Sequence, residues 1–134
     1  MKYLLDVNVL VAWGWADHVD HSRVAKWLHR ERTNPDSTLL TSAIPQLGFV
    51  RVSVFRSKGL VSVEEAAATL TGMLKALGGR HQFAPDSQTA TDFPAWCRTA
   101  DKTTDAHLHQ LAESLNAKLA TLDEGIKRAF LVPL

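Results

Sequence analysis

Three aspartates lie where their carboxylates can act together. Asp6 ends an apolar run that begins at Lys2, and Asp123 lies just after a second apolar run. Asp105 begins a predicted helix that leads into that second run. Parallel sheets place their binding crevices outside the carboxyl ends of the strands. A sheet with the two runs side by side would therefore bring all three residues to one edge.

Carboxylates that lie this close together repel one another, and a bound cation relieves the repulsion. Two carboxylates about 5 Å apart repel by roughly 3 kcal/mol at an effective dielectric constant of about 20. Three of them are hard to keep ionised together at neutral pH, so either a cation binds or the pKa of a carboxyl group rises and the group takes up a proton. Oxygen ligands in an open crevice favour Mg²⁺ or Mn²⁺, and such an ion can polarise a phosphoryl oxygen and deliver an attacking water. The pattern thus indicates phosphodiester hydrolysis.

Each aspartate also has a purely structural interpretation. Asp6 can cap the helix that follows it, and Asp105 can complement a helix dipole. Asp123 can be a turn residue in the segment Thr121-Leu122-Asp123-Glu124-Gly125. Only the joint position of the three side chains favours a functional site.

Hydrophobic periodicity and turn residues divide the chain into alternating strands and helices. Strands are expected at residues 2–6, 38–41, 81–84, 117–121 and 130–132. Helices are expected at residues 7–13, 18–32, 42–55, 62–77 and 105–115, with a helical turn at 122–128. Thr103 or Thr104 is expected to cap the helix that begins at Asp105. The segment 86–98 is ambiguous between a short helix and a loop.

This alternation predicts the α/β class, with a parallel sheet covered by helices on both faces. The chain has 134 residues, which suits a single domain spanning residues 1–134. Hydrophobic residues make up 46% and charged residues 22%, as in ordinary globular chains. The formal charge of +1 gives no global argument for nucleic-acid binding.

The chain carries no sign of export or membrane insertion. Its N-terminus is too short and too polar before Asp6 for a signal peptide, and no run of about 18 apolar residues occurs. Its single cysteine, Cys97, cannot form an intramolecular disulfide. We therefore expect a cytoplasmic protein with no membrane association.

The motifs around the three aspartates resemble PIN-domain ribonucleases, and most of all the toxins of VapBC-type toxin–antitoxin pairs. The resemblance is carried by Leu4-Leu5-Asp6-Val7-Asn8-Val9-Leu10, by Thr104-Asp105-Ala106-His107-Leu108, and by Leu119-Ala120-Thr121-Leu122-Asp123. The segment Gln46-Leu47-Gly48-Phe49-Val50-Arg51 resembles one VapC-like subgroup. Together these motifs span nearly the whole chain in the order that the family shows.

The resemblance implies a three-layer fold with a central, mainly parallel sheet of four to five strands flanked by helices. It also implies a Mg²⁺- or Mn²⁺-dependent endoribonuclease that acts as a toxin, forms a homodimer and is neutralised by a VapB-like antitoxin. Asp6, Asp105 and Asp123 match the family's catalytic, metal-binding acids. Asn8 and Thr121 match polar residues that support those acids.

One position departs from the family pattern. Many members have a glutamate where this chain has Gln46. A glutamine oxygen can still accept a hydrogen bond or coordinate a metal, but it brings no charge. Asp101 lies four residues before Asp105 and can supply a substitute carboxylate only if the helix starts that early; otherwise it is a solvated loop residue.

Basic residues offer candidate RNA contacts. Arg51, Phe55 and Lys58 fall at helical spacing, so Arg51 and Lys58 can hold a phosphate or pair with an acidic partner. A solvated helix face is the structural alternative. The six histidines show no HExxH pattern or cysteine partners, so surface or packing roles are expected of them.

Two other functions compete with the nuclease. One is a catalytically weakened PIN-like module that binds RNA or protein, with Gln46 marking the loss of the site. The other is a phosphoacceptor domain, which also clusters aspartates at strand ends. It fits poorly, because Asp6 has no acidic neighbour after the first strand.

Overall fold

The computed structural model describes residues 1–134, which form five strands and five helices. The strands are β1 (Lys2–Leu5), β2 (Thr38–Thr41), β3 (His81–Phe83), β4 (Lys118–Thr121) and β5 (Phe130–Leu131). The helices are α1 (Val7–Gly14), α2 (His21–Arg32), α3 (Ala43–Arg56), α4 (Val63–Ala76) and α5 (Thr103–Ser114).

The strands form one parallel sheet in the order β3-β2-β1-β4-β5. The central strand β1 pairs with β2 on one side and with β4 on the other. The ladder continues one residue beyond β1, where the Asp6 amide donates to the Ala120 carbonyl at 3.0 Å. The strands β1 and β4 are therefore neighbours, which is the condition under which the aspartates were expected to meet at one edge.

Side chains alternate between the two faces of the sheet, as the pleat of a strand requires. Tyr3 and Leu5 belong to a core with residues of α1 to α4, among them the fully buried Phe49. Leu4 belongs to a second core on the other face, which includes Leu108 of α5. Helices therefore cover both faces, and the predicted three-layer α/β architecture is confirmed.

Several helix ends agree with the sequence signals. Asp6 caps α1, and Ser62 and Glu65 form a reciprocal capping box at the start of α4. Helix α3 ends just before Lys58 and Gly59, both of which have positive φ angles. Asn116 follows α5 with φ 54°, a conformation that asparagine tolerates better than most residues.

Other boundaries differ from the expectation. Helix α2 begins at His21, because the His18 ring accepts the Asp20 amide at 3.0 Å and closes a turn there. Helix α5 begins at Thr103, because a 3₁₀ turn over Ala100–Lys102 leads into it. Neither threonine is therefore the cap, and Asp105 lies within the first turn.

Two segments contain no helix, although the sequence predicted a helical turn in one and allowed a short helix in the other. Residues 122–128 form turns, because the Gly125 amide bonds to the Asp123 carboxylate and Arg128 has a positive φ angle. Residues 86–98 form an irregular loop with one turn. None of the helices has the combined length and apolar character that crossing a bilayer requires.

Candidate functional site

Asp6 lies at the carboxyl end of the central strand, and only 4% of it is exposed. Its Oδ1 accepts the Val7 amide at 2.7 Å, and its Oδ2 accepts the Thr121 hydroxyl at 2.8 Å. Burial raises the pKa of Asp6 from 3.8 to about 6, against the lowering effect of these hydrogen bonds. Asp105 and Asp123 raise this pKa further. Asp6 therefore both caps α1 and contributes a buried carboxylate to a group of acids.

The Thr121 hydroxyl is the centre of a small polar network. It donates to Asp6, and it accepts hydrogen bonds from Asn8 Nδ2 and from the Asp123 amide, both at 3.1 Å. Asn8 Oδ1 in turn accepts the Leu122 amide at 3.1 Å. One hydroxyl offers one donor and two acceptor positions, so Thr121 is fully used. The network holds the ends of β1 and β4 in a fixed relation.

Asp105 and Asp123 complete the acidic group. The Asp105 carboxylate makes no hydrogen bond or ion pair within the chain, and its pKa is raised by burial and then by Asp123. Asp123 uses Oδ1 to accept the Gly125 amide at 2.8 Å, which leaves Oδ2 without a partner. Asp6 follows β1 and Asp123 follows β4, while Asp105 lines the same cavity as Asp6, so all three lie at the carboxyl ends of the central strands.

The donor chemistry of this edge suits a hard divalent cation. Asp6, Asp105 and Asp123 offer only oxygen, and two of them retain an oxygen that no protein group satisfies. No three acidic, histidine or cysteine side chains converge closely enough to enclose an ion. The arrangement fits Mg²⁺ or Mn²⁺ that keeps several of its waters, because Mg²⁺ is usually bound by only one or two carboxylates.

A cavity of about 440 Å³ opens at two of the three acids, Asp6 and Asp105, and Asp123 does not line it. Asp6, Asn8 and Asp105 line it together with Arg51 and His18. The cavity therefore holds two carboxylates and the permanently charged guanidinium of Arg51. This combination can hold a bound cation and an anionic group side by side.

Sequence reasoning missed His18 as a residue of this cavity. Its Nδ1 accepts the Asp20 amide, so in the neutral ring Nε2 carries the hydrogen and can donate. His18 lies in the turn before α2, far in sequence from every motif of the site. No local pattern could have revealed it.

The remaining predicted residues lie apart from this cavity. The Gln46 amide donates to Thr41 Oγ1 at 3.0 Å, at the end of β2. Asp101 is exposed in the 3₁₀ turn before α5 and raises the pKa of Asp105. Lys58 is exposed beyond the end of α3. Neither Gln46, Asp101 nor Lys58 lines the cavity.

Comparison with known proteins identifies the family of the chain. The PIN domain family model matches residues 3–130. Ribonuclease VapC39 of Mycobacterium tuberculosis is 36% identical over 132 residues, covering 94% of this chain and 91% of that protein. Ribonucleases VapC38 and VapC29 of the same species are 33% and 35% identical, covering 92% and 94% of this chain and 86% and 89% of their own lengths. The resemblance predicted from the motifs is confirmed, and the chain belongs to the PIN domain family.

Proposed function

We propose that the protein is a metal-dependent endoribonuclease that acts as the toxin of a toxin–antitoxin pair. The observation that carries the proposal is one open cavity that Asp6 and Asp105 line together with Arg51, with Asp123 close enough for its charge to raise the pKa of both aspartates. The relatives named as VapC ribonucleases support RNA as the substrate.

The side chains divide into two roles. Asp6, Asp105 and Asp123 would hold Mg²⁺ or Mn²⁺, which when bound supplies an activated water and a positive charge for the phosphoryl oxygens. Arg51 lines the same cavity and can pair with a backbone phosphate, and the His18 Nε2 hydrogen can be donated to a phosphate oxygen. Thr121 and Asn8 fix Asp6 in position.

The direct test is cleavage of single-stranded RNA by the purified, antitoxin-free protein. We expect cleavage with Mg²⁺ or Mn²⁺ and none with EDTA. Asp6→Asn keeps the shape of the side chain but removes its charge, so we expect at least about a hundredfold loss of kcat/KM, because transition-state charge stabilisation is lost. Asp36→Asn, at an exposed loop position away from the cavity, is the matched control. Equal cleavage by Asp6→Asn and the wild type would contradict the assignment.

A catalytically weakened module that binds RNA or protein is the second candidate function. Gln46 favours it, because the amide brings no charge and its nitrogen is engaged by Thr41. Titration calorimetry with millimolar Mn²⁺ separates the two functions, since the nuclease binds the ion and the module does not. Gln46→Glu should strengthen Mn²⁺ binding if position 46 contributes to the nuclease site.

The partners follow from the proposed toxin role. A VapB-like antitoxin would neutralise the protein, and the relatives support this pairing. The homodimer and the cytoplasmic location stay predictions. Sedimentation of the free protein tests the first, and fractionation of the producing cells tests the second.

A further inference from the structure

A second cavity, of about 370 Å³, opens beside the acidic one. It is bounded by the starts of α3 and α5 and by the loop between β3 and α5. Its lining residues are Ile44, Ala90, Phe93, Thr103, Thr104 and His107. Thr104 lines both cavities, and the adjacent Asp105 lines the acidic one. A ligand that extends beyond the acidic cavity can therefore enter the second one directly.

The loop that carries Phe93 is anchored to α5 at two points. Asp86 Oδ2 and His107 Nε2 form a largely buried pair at 2.7 Å. Gln110 Nε2 donates to the Asp92 carbonyl at 3.0 Å, immediately before Phe93. These contacts hold the phenyl ring at the rim of the cavity, where 37% of the residue is exposed.

The lining chemistry selects the kind of ligand. Phe93, Ile44 and Ala90 provide an aromatic and aliphatic surface. No lysine or arginine lines this cavity, and His107 Nε2 is already engaged by Asp86. A phosphate would therefore find no free cation here, whereas Arg51 offers one in the acidic cavity. The Thr104 hydroxyl makes no hydrogen bond within the chain and is available to a polar edge.

A flat, uncharged group with polar edges matches these features. A nucleobase has an aromatic face that can stack on Phe93 and edge atoms that can bond to Thr104. We propose that the second cavity receives a base of the RNA next to the cleaved phosphodiester, with Phe93 as its stacking platform. This inference rests on the proposed nuclease function and names the part of the substrate that the neighbouring surface recognises.

The experiment uses one single-stranded RNA whose cleavage position has first been mapped. Two further versions lack the base immediately before or immediately after the cleaved bond and keep the ribose. We expect loss of one of these bases to lower the wild-type kcat/KM by about 5- to 150-fold, the range that stacking on an aromatic side chain supplies. The Phe93→Ala variant should have a similarly lowered kcat/KM on intact RNA. Removal of that base should lower the kcat/KM of the variant little further.

Two variants provide controls. Phe83→Ala removes a phenyl ring that is 51% exposed on β3 and does not line either cavity, so it should keep the wild-type pattern. Phe93→Leu keeps apolar volume at the rim but removes the flat ring, so it should behave like Phe93→Ala. The base-pocket proposal is overturned if Phe93→Leu, folded by circular dichroism, responds to the missing base as the wild type does.

Binding in EDTA of a labelled single-stranded RNA, and of a series of versions that each lack one base, separates this proposal from the nuclease itself, because the series needs no mapped cleavage position. Base-dependent binding that Phe93→Leu abolishes would support the pocket even if no RNA were cleaved. If removal of either neighbouring base leaves kcat/KM unchanged, the base-pocket proposal is overturned and the nuclease proposal is retained. Absence of both cleavage and base-dependent binding would overturn both proposals.

Discussion

Asp6 has two roles that place opposite demands on its charge. As a helix cap it accepts hydrogen bonds that favour the ionised carboxylate, while its burial favours the protonated form. Burial dominates and raises the pKa to about 6. At neutral pH the folded protein therefore keeps an ionised buried carboxylate at the cost of stability. A bound cation would offset that cost.

The stability of the metal-free protein should consequently fall as pH rises from about 4 to about 6. In this window the folded state keeps a proton on Asp6 that the unfolded chain, with a pKa of 3.8, has released. The unfolded state then binds fewer protons, so the free energy of unfolding decreases with pH, by about 3 kcal/mol in total. Urea unfolding in EDTA across this range measures the effect.

Asp6→Asn should remove most of this pH dependence. The variant has no titrating group at position 6, and only the raised pKa of Asp105 remains to act in the same direction. An unfolding free energy that fell equally steeply with pH in the variant and the wild type would contradict a raised Asp6 pKa.

Thr121→Val should damage the acidic group without altering its charges. The substitution leaves Asp6 Oδ2, Asn8 Nδ2 and the Asp123 amide without their shared partner. Unsatisfied buried polar groups cost about 1–3 kcal/mol. Because the Thr121 hydrogen bond lowers the pKa of Asp6, that pKa should also rise further in the variant. Urea unfolding at several pH values reports both changes.

The control for this variant is Thr38→Val at the start of β2, where the threonine side chain makes no hydrogen bond within the chain. The Thr38→Val variant should have nearly the same free energy of unfolding as the wild type. If both variants lost the same stability, the hydroxyl network at β1 and β4 would not be the cause.

At the scale of elements, the close packing of α1 against α3 sets the position of the site residues at the start of α1. A Cβ atom on Gly48 of α3 would lie 2.5 Å from Val7 Cγ2, closer than packed side chains approach. Val7 is the first residue of α1 and directly follows Asp6. Glycine at position 48 therefore lets α1 approach α3 and sets the position of the residues that begin α1.

Gly48→Ala should destabilise the protein by about 1–3 kcal/mol, the usual cost of overpacking. It should also lower cleavage of RNA, because displacement of Val7 moves Asp6 and Asn8. Adding Val7→Ala frees the space that the new methyl group needs, so the double variant should recover part of the lost stability. Thermal unfolding and cleavage rates of the four proteins in this cycle give the coupling.

Gly72→Ala is the matched control within α4. Its Cβ meets no atom within 4 Å, so the substitution should stabilise the helix by about 0.5–1 kcal/mol. Equal effects at positions 48 and 72 would show that helix propensity, and not the contact with Val7, governs both.

At the scale of the whole molecule, the sheet order places Asp6 and Asp123 side by side, at the ends of the neighbouring strands β1 and β4. Asp6 and Thr121 are 115 residues apart in sequence but hydrogen-bonded across these strands. The unfolded chain has no such arrangement. A cation that bridges these groups should therefore bind the folded state selectively.

Mg²⁺ or Mn²⁺ should raise the thermal stability of the wild type in a concentration-dependent way. Selective binding to the folded state stabilises it by about 2.7 kcal/mol at a free concentration of 100 times Kd. Asp105→Asn, which removes a free carboxylate without breaking any hydrogen bond, should show a reduced shift at each concentration. Calorimetric scans at increasing Mn²⁺ measure both, and a wild type insensitive to millimolar Mn²⁺ would count against the metal site.

The amino-acid sequence by itself determined the α/β class, most strands and helices, and the positions of the three acids at strand and helix ends. These features depend on local periodicity, capping and turn residues, which are visible within short windows. The same local signals failed at residues 122–128, where the hydrogen bond between the Asp123 carboxylate and the Gly125 amide replaced a helical turn.

Only the tertiary structure decided which distant residues share a surface. It brought His18 and Arg51 into the cavity of Asp6 and Asp105, and it separated Gln46 and Lys58 from that cavity. It also placed Phe93 in the same cavity as Thr104, which lines the acidic cavity as well. These neighbours depend on strand order and on how loops are anchored to helices. Such contacts join residues far apart in the chain, so no local pattern encodes them.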